Sequence, residues 1–361
     1  MSFEELERQL GGESQLVNEL RRKLDAAERK AKTVGELEAQ LRAERTLVER
    51  LERELGILDR VTHVGEPPRW LQAEPSRKKH KAIPWLFLSD LHLDEVVEPA
   101  QMLGANAYDR RIALMRLQRT FQGFVHVTRD YWTGIDYEGV VLALGGDIFS
   151  GDIHEELKET NEDTILGSLD YWIDHLADGI GLVADEFGKV HVPVVVGNHG
   201  RTTRKPRAKF RARSNFDWFL GKALERIFAK DKRITFDVSE AADVLIPSYG
   251  QTVMMTHGDQ ASGGGGIGGI WPPLMRLDAR KRARNAAFNM PYDLLIMGHW
   301  HQLVFGPQFI VNGSLKGADE YSFVSNFSPE PPQQACWLMT PEHGKTWTAP
   351  ILSQDRKAEG W

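Results

Sequence analysis

The sequence predicts a layered α/β domain behind an N-terminal helix of coiled-coil character, and three observations lead there. From residue 83 onward, short apolar runs end in polar, glycine-rich corners, stretches of helical periodicity separate several of those runs, and residues 1–60 keep a seven-residue apolar repeat. The 361 residues suffice for one large domain with an appendage or for two ordinary ones, and 41% hydrophobic residues fit a buried core.

Taking the N-terminal segment first, a heptad frame with Leu6 at a puts Leu20, Ala27, Val34, Leu41, Val48 and Leu55 at a, and Leu16, Leu37, Leu51 and Leu58 at d. Gly11, Gly12 and Gly35 weaken the helix, so 34–58 is its firmer part. Residues 1–60 are therefore expected to form a coiled-coil helix that makes a homo-oligomer. Residues 61–82, rich in proline and charge, read as a linker, 83–350 as the main domain and 351–361 as a polar C-terminal tail.

Six apolar runs follow in order: "IPWLFLSDLHL", "GVVLALGGDIFSG", "VHVPVVVGNHG", "TVMMTHGD", "YDLLIMGHWH" and "QFIVNGS". "RRIALMRLQRTFQGFVHVTRDYW" and "SNFDWFLGKALERIFAK" are helical stretches between them. Strands alternating with helices bring the polar corners past the strand ends to one rim, where a site is expected. Those corners supply Asp90, His92, Asp147, Asn198, His199, His257, His299 and His301. In extended chain, residues two apart point the same way, so Asp90 with His92 and His299 with His301 read as chelating arms. Imidazole, carboxylate and an amide oxygen suit manganese, iron, cobalt, nickel or zinc rather than calcium. Without His199, which is not needed as a ligand, the seven candidates are still too many for one open metal site; two metals sharing a carboxylate use them economically, an arrangement suited to displacement at phosphorus.

The ordered motifs "SDLHL", "GGDIF", "GNHG", "MTHGD" and "GHWH" resemble those of the calcineurin-like metallophosphoesterases over residues 83–316. The resemblance implies a four-layer sandwich of two facing mixed sheets flanked by helices. It implies one metal on Asp90, His92, Asp147 and His301, and a second on Asp147, Asn198, His257 and His299, with Asp147 shared. Manganese is the favoured ion, with iron, zinc, nickel, cobalt or magnesium as alternatives. A water shared by two such cations loses a proton near neutral pH and attacks phosphorus in line, with His199 as general acid toward the leaving group. The family often has an acid after Gly-Asn-His, where this chain has Gly200; either another acid supplies that support, with Asp217 or Asp259 the nearest candidates, or His199 is held less firmly than usual.

The net charge of −6 gives no global attraction for a polyanion, yet residues 201–213 hold seven Lys or Arg and no acid. A glycine run after His257 leads to Trp271 and a second basic group, Arg276, Arg280, Lys281, Arg282 and Arg284. Arg201, Arg204, Lys205 and Arg207 are expected to grip phosphate and Trp271 to stack on a base, which favours a phosphodiesterase acting on nucleic acid, a nuclease. A phosphatase or phosphodiesterase of nucleotides or other small phosphorylated molecules is the alternative, and a coiled-coil scaffold with a vestigial catalytic domain the third reading. A lone cysteine, Cys336, and the absence of a long apolar run or signal-peptide pattern point to a cytoplasmic protein with no membrane association.

Overall fold

The computed structural model describes residues 18–26, 41–42, 44–47, 68–72, 80–263 and 268–361. The chain divides into two units, Met1–His63 and Val64–Trp361. In the first, residues 18–26, 41–42 and 44–47 are helical, with Leu20, Leu24, Leu41 and Leu47 exposed. The rest of the expected coiled coil, including most of 34–58, lies outside the described residues.

The second unit contains two sheets. The larger runs in the order β12-β11-β1-β3-β4-β5, with β2 added beside β1. Its strands are β1 (His80–Leu88), β2 (Ile135–Tyr137), β3 (Val140–Leu144), β4 (Val190–Val194), β5 (Ile234–Val238), β11 (Gln333–Thr340) and β12 (Gly344–Leu352). The smaller runs β6-β7-β8-β10-β9, from β6 (Asp243–Ser248), β7 (Gln251–Thr256), β8 (Leu294–Met297), β9 (Val304–Phe305) and β10 (Phe309–Val311). Both are mixed: β1, β3, β4 and β5 run parallel while β11 and β12 run antiparallel, and β7, β8 and β10 run parallel between two antiparallel edges.

Alternation along each strand produces the layers. In β1, Ile83, Trp85 and Phe87 enter the core between the sheets, while Leu86 and Leu88 face the outer helices. In β8, Leu294 and Ile296 face the other sheet and Leu295 and Met297 face outward. Trp85 of β1 and its register partner Trp337 of β11 stack at 5.3 Å inside that central core. Helices α1 (Arg110–His126), α2 (Ile165–Phe187) and α3 (Phe216–Ile227) cover the larger sheet, and α4 (Trp271–Ala287) covers the smaller. The first three start where Asp109, Thr164 and Asn215 accept a backbone N–H of the first turn. This is the four-layer sandwich that the motifs implied.

Two expected boundaries are corrected. Within the expected linker 61–82, Arg69–Gln72 is a helical turn with Leu71 fully buried and Trp70 against the central core, and β1 begins at His80. The expected tail 351–361 is part of the fold: Ile351 and Leu352 complete β12, and Glu359, with no exposed surface, pairs at 2.9 Å with the equally buried Arg116 of α1. A polar composition concealed one carboxylate that a buried guanidinium requires. Among the described residues, no helix is long and apolar enough to cross a membrane.

Candidate metal centre

The polar corners begin where the strands stop. β1 ends at Leu88, two residues before Asp90; β8 ends at Met297, two residues before His299. Asp90, His92, Asp147, His299 and His301 all have positive φ, between 47° and 71°. The expectation that Asp90/His92 and His299/His301 lie in extended chain is therefore wrong. Each pair converges because its corner coils through left-handed conformations, which cost a non-glycine residue about 1 kcal/mol or more. Hydrogen bonds between corners hold them there. Asp90 N and His92 N donate to the carbonyls of Gly146 and Asp147, and His299 N donates to Asp90 Oδ1 at 2.9 Å. Gly197 has to be glycine for closeness: a Cβ there would meet Asp147 Oδ1 at 2.0 Å.

Three overlapping groups result: Asp90, His92 and His301; His92, Asp147 and His199; and Asp147, His257 and His299, each with candidate ligand atoms within 4.8 Å of one another. His92 Nε2 lies 3.1 Å from His301 Nε2, which lies 3.4 Å from Asp90 Oδ1. His257 Nε2 lies 2.9 Å from Asp147 Oδ2 and 3.2 Å from Asn198 Oδ1. Six of the seven expected ligands thus meet another ligand atom directly, and His299 joins through the third group. His257 Nδ1, 2.9 Å from the Gly145 carbonyl, can donate to it and leave Nε2 facing the cluster. His92 Nδ1 lies 3.0 Å from Glu95 Oε2, a short but poorly aligned contact. Converging carboxylate, amide and imidazole acceptors fit divalent cations.

Burial, reinforced by the Lys316 ammonium, lowers His92 to about 4, and burial with His257 lowers His299 to about 4, so both are neutral and able to ligate at pH 7. For His257 burial pushes down, but the Asp147 carboxylate outweighs it and raises the imidazole to about 10. A metal ion must displace that proton.

The residue behind Asp147 is Asp217. Fully buried at the start of α3, it accepts the N–H groups of Asp147 (3.0 Å), Ile148 (3.3 Å) and Gly197 (2.9 Å). Burial, then the Asp147 charge, raises it to about 6 against the pull of those N–H groups. It does not orient His199, and neither does Asp259, which pairs with Arg211 at 2.9 Å. The His199 ring instead sets Nδ1 2.7 Å from the Ser150 carbonyl, and its backbone N–H donates to Asp147 Oδ1 at 2.6 Å. An acid cannot follow His199, because a Cβ at Gly200 would meet Asn215 Oδ1 at 2.4 Å. His154 is exposed at the start of a short helix, with its ring 5.8 Å from that of His199.

The first basic segment is partly tied down. Arg201 gives Nη1 to the Asn198 carbonyl at 2.9 Å and Nε to Thr203 O at 3.0 Å. Arg211 reaches Asp259, and Arg213 reaches Glu240 at 2.6 Å. Arg204, Lys205, Arg207 and Lys209 are exposed and have no ion-pair partner among the described residues. Trp271 is half-exposed at the start of α4 and meets Phe309 edge-on at 5.7 Å, so the aromatic partner it has is a core residue of the smaller sheet.

Sequence reasoning missed Glu95, Lys316, Asn312 and the true role of Asp217. Lys316, fully buried, bonds Glu95 at 2.5 Å and also Asp319, bracing the carboxylate beside His92. Asn312 ties Phe87 O, Ser89 Oγ and Gln334 Oε1 together beneath Asp90. Only Asn312 left a signal, as the polar residue ending "FIVN".

No family model matches the chain, and no curated protein does. Among solved structures, it is similar to vacuolar protein sorting 29 from Cryptosporidium parvum (14% identity, 76% of this chain and 99% of that one, TM-score 0.31). It is also similar to a predicted phosphoesterase from Streptococcus pneumoniae (12%, 74% and 97%, TM-score 0.28) and a dimetal phosphatase from Danio rerio (10%, 75% and 99%, TM-score 0.34). Likenesses this slight carry no function; the ligand geometry does.

Proposed function

We propose that the chain is a dinuclear-metal phosphodiesterase acting on nucleic acid. The observation supporting it most is that Asp147 belongs to two ligand groups at once, with Oδ2 at His257 and Oδ1 at the His199 N–H. Two divalent ions on Asp90, His92, Asp147 and His301, and on Asp147, Asn198, His257 and His299, would polarise phosphate oxygens and supply a water acidic enough to ionise near neutral pH. Asn198 and His257 orient one side of the site, Asp90 and His301 the other. His199, its Nδ1–H directed to the Ser150 carbonyl, presents Nε2 to the leaving-group oxygen and passes it a proton when the ring is charged. Burial lowers His199 from its ordinary value of 6.5, so that charged fraction declines as pH rises on the acid side of neutrality.

Substrate class rests on the loop beyond His199. Arg204, Lys205, Arg207 and Lys209 remain unpaired, and Phe210 stands among them 74% exposed with φ of 54°. Free cations beside an exposed aromatic suit a phosphate backbone with accessible bases. The manganese-loaded protein should cleave DNA or RNA and hydrolyse a model diester faster than a model monoester. Monoester preference with intact nucleic acid would remove the nuclease reading.

We also assign residues 1–60 to self-association, on the heptad repeat alone. Light scattering should give a multiple of the chain mass that falls to one copy when 1–60 are deleted; a monomeric full chain would end that assignment.

A further inference from the structure

A pocket opens directly beside the metal ligand Asn198, walled by Gly197, Arg201, Arg207, Arg211 and Asp259. Three arginines and one carboxylate line it. Arg201 is pinned to the site through the Asn198 carbonyl, Arg211 spends one arm on Asp259, and Arg207 has no side-chain partner among the described residues. The Nε of Arg211 is buried without a hydrogen-bond partner, which is uncommon for so strong a donor. Burial lowers Arg201, although it remains charged at any working pH. The pocket is therefore a polar recess with surplus positive charge that shares Asn198 with the ligand cluster and otherwise extends away from it. Guanidinium forks match phosphate oxygens in pairs, whereas an apolar group would strand these donors.

We infer that this pocket is a subsite for a second phosphate of the substrate, adjacent to the one that is cleaved. The inference rests on the phosphoesterase reading of the same site and extends it: single-phosphate esters fill the metal centre alone, and substrates with a neighbouring phosphate fill both. That neighbour could belong to a nucleic-acid backbone or to a nucleoside polyphosphate chain, which differ in spacing.

The test uses the full chain with excess manganese, hydrolysing bis(p-nitrophenyl) phosphate. Thymidine 5′-monophosphate, thymidine 3′,5′-bisphosphate and thymidine 5′-diphosphate serve as competing inhibitors. At least one two-phosphate compound should inhibit about tenfold more tightly than the monophosphate, the selectivity expected of one bidentate charged contact. Advantage for the bisphosphate identifies a backbone, and advantage for the diphosphate a polyphosphate chain. Arg207→Gln should remove most of that ratio and Arg207→Lys should restore part of it, while Lys230→Gln, on an exposed turn elsewhere, should leave the ratio intact. Equal inhibition by all three compounds, or an Arg207→Gln variant that keeps the ratio, would overturn the subsite. If the protein hydrolyses no ester at all, the phosphoesterase reading fails by itself. Calorimetric binding of the same three compounds then still decides the subsite, with the same ratio as its readout.

Discussion

The two basic segments, 201–213 and 276–284, look alike in sequence and behave differently in the fold. In the second, Lys281 and Arg284 share Asp243 at 2.7 and 2.6 Å, and Arg282 pairs with Asp278 at 2.9 Å. Helix α4 thereby spends three of its five cations, two on the neighbouring strand and one on its own Asp278, while Arg276 and Arg280 are exposed without an ion-pair partner among the described residues. In the first, pairs at Arg211 and Arg213 and the carbonyl grip of Arg201 fix the loop, and four cations between these anchors stay free. The difference shows that a run of positive charge identifies a binding surface only after its partners have been counted. Acids distant in sequence, Asp243, Glu240 and Asp259, do the neutralising.

That contrast can be broken at several points, beginning with the centre both segments flank. Asp147→Asn, which removes the shared charge, should lower kcat/KM by on the order of 10³-fold or more with any substrate, measured under manganese saturation. The paired segment should respond through stability. Asp243→Ala leaves Lys281 and Arg284 uncompensated and should cost about 2–4 kcal/mol in urea unfolding, without altering the salt dependence of nucleic-acid binding. Glu359→Ala sets the scale for a fully buried cation and should cost about 3–5 kcal/mol by stranding Arg116. The free segment should do the opposite: Arg204, Lys205 and Arg207 changed together to Gln should shift stability by less than about 0.5 kcal/mol. The same variant should flatten the slope of log K against log salt by about 2–3. A triple variant that unfolds early but keeps its salt slope would erase the distinction between the segments.

The smallest effect expected is a proton. Because Asp147 holds His257 protonated up to about 10 in the metal-free protein, manganese binding should release about one proton at pH 7, read from calorimetry in buffers of different ionisation enthalpy. Apparent affinity should then rise with pH. In the metal-free protein the same pair contributes stability that is complete below the ordinary histidine value of about 6.5 and is lost as pH rises toward 10.

Much of this was legible in the chain. The six motif-bearing strands, β1, β3, β4, β7, β8 and β10, announce themselves because each is apolar and ends in a polar corner. Strands β5, β6 and β11 carry no such ending, and β11 opens with Gln333 and Gln334, whose burial depends on partners such as Asn312 that sequence does not reveal. Which acids and histidines cluster could be read; the conformation of their corners could not, since left-handed φ at an aspartate or histidine is imposed by neighbouring backbone. Asp217 was visible as an acid near Gly200, but its partners are backbone N–H groups, which have no signature in side-chain identity.

Asp217 also ties together two turns that leave different strands, one after β3 and one after β4, from a single position on α3. Neither turn can swing away without abandoning the same carboxylate. The amide hydrogens of Asp147, Ile148 and Gly197 should therefore exchange with solvent at one common, slow rate, as a single opening event rather than three. The lifetime of that closed state sets how long the Asp147 carboxylate stays in place between excursions.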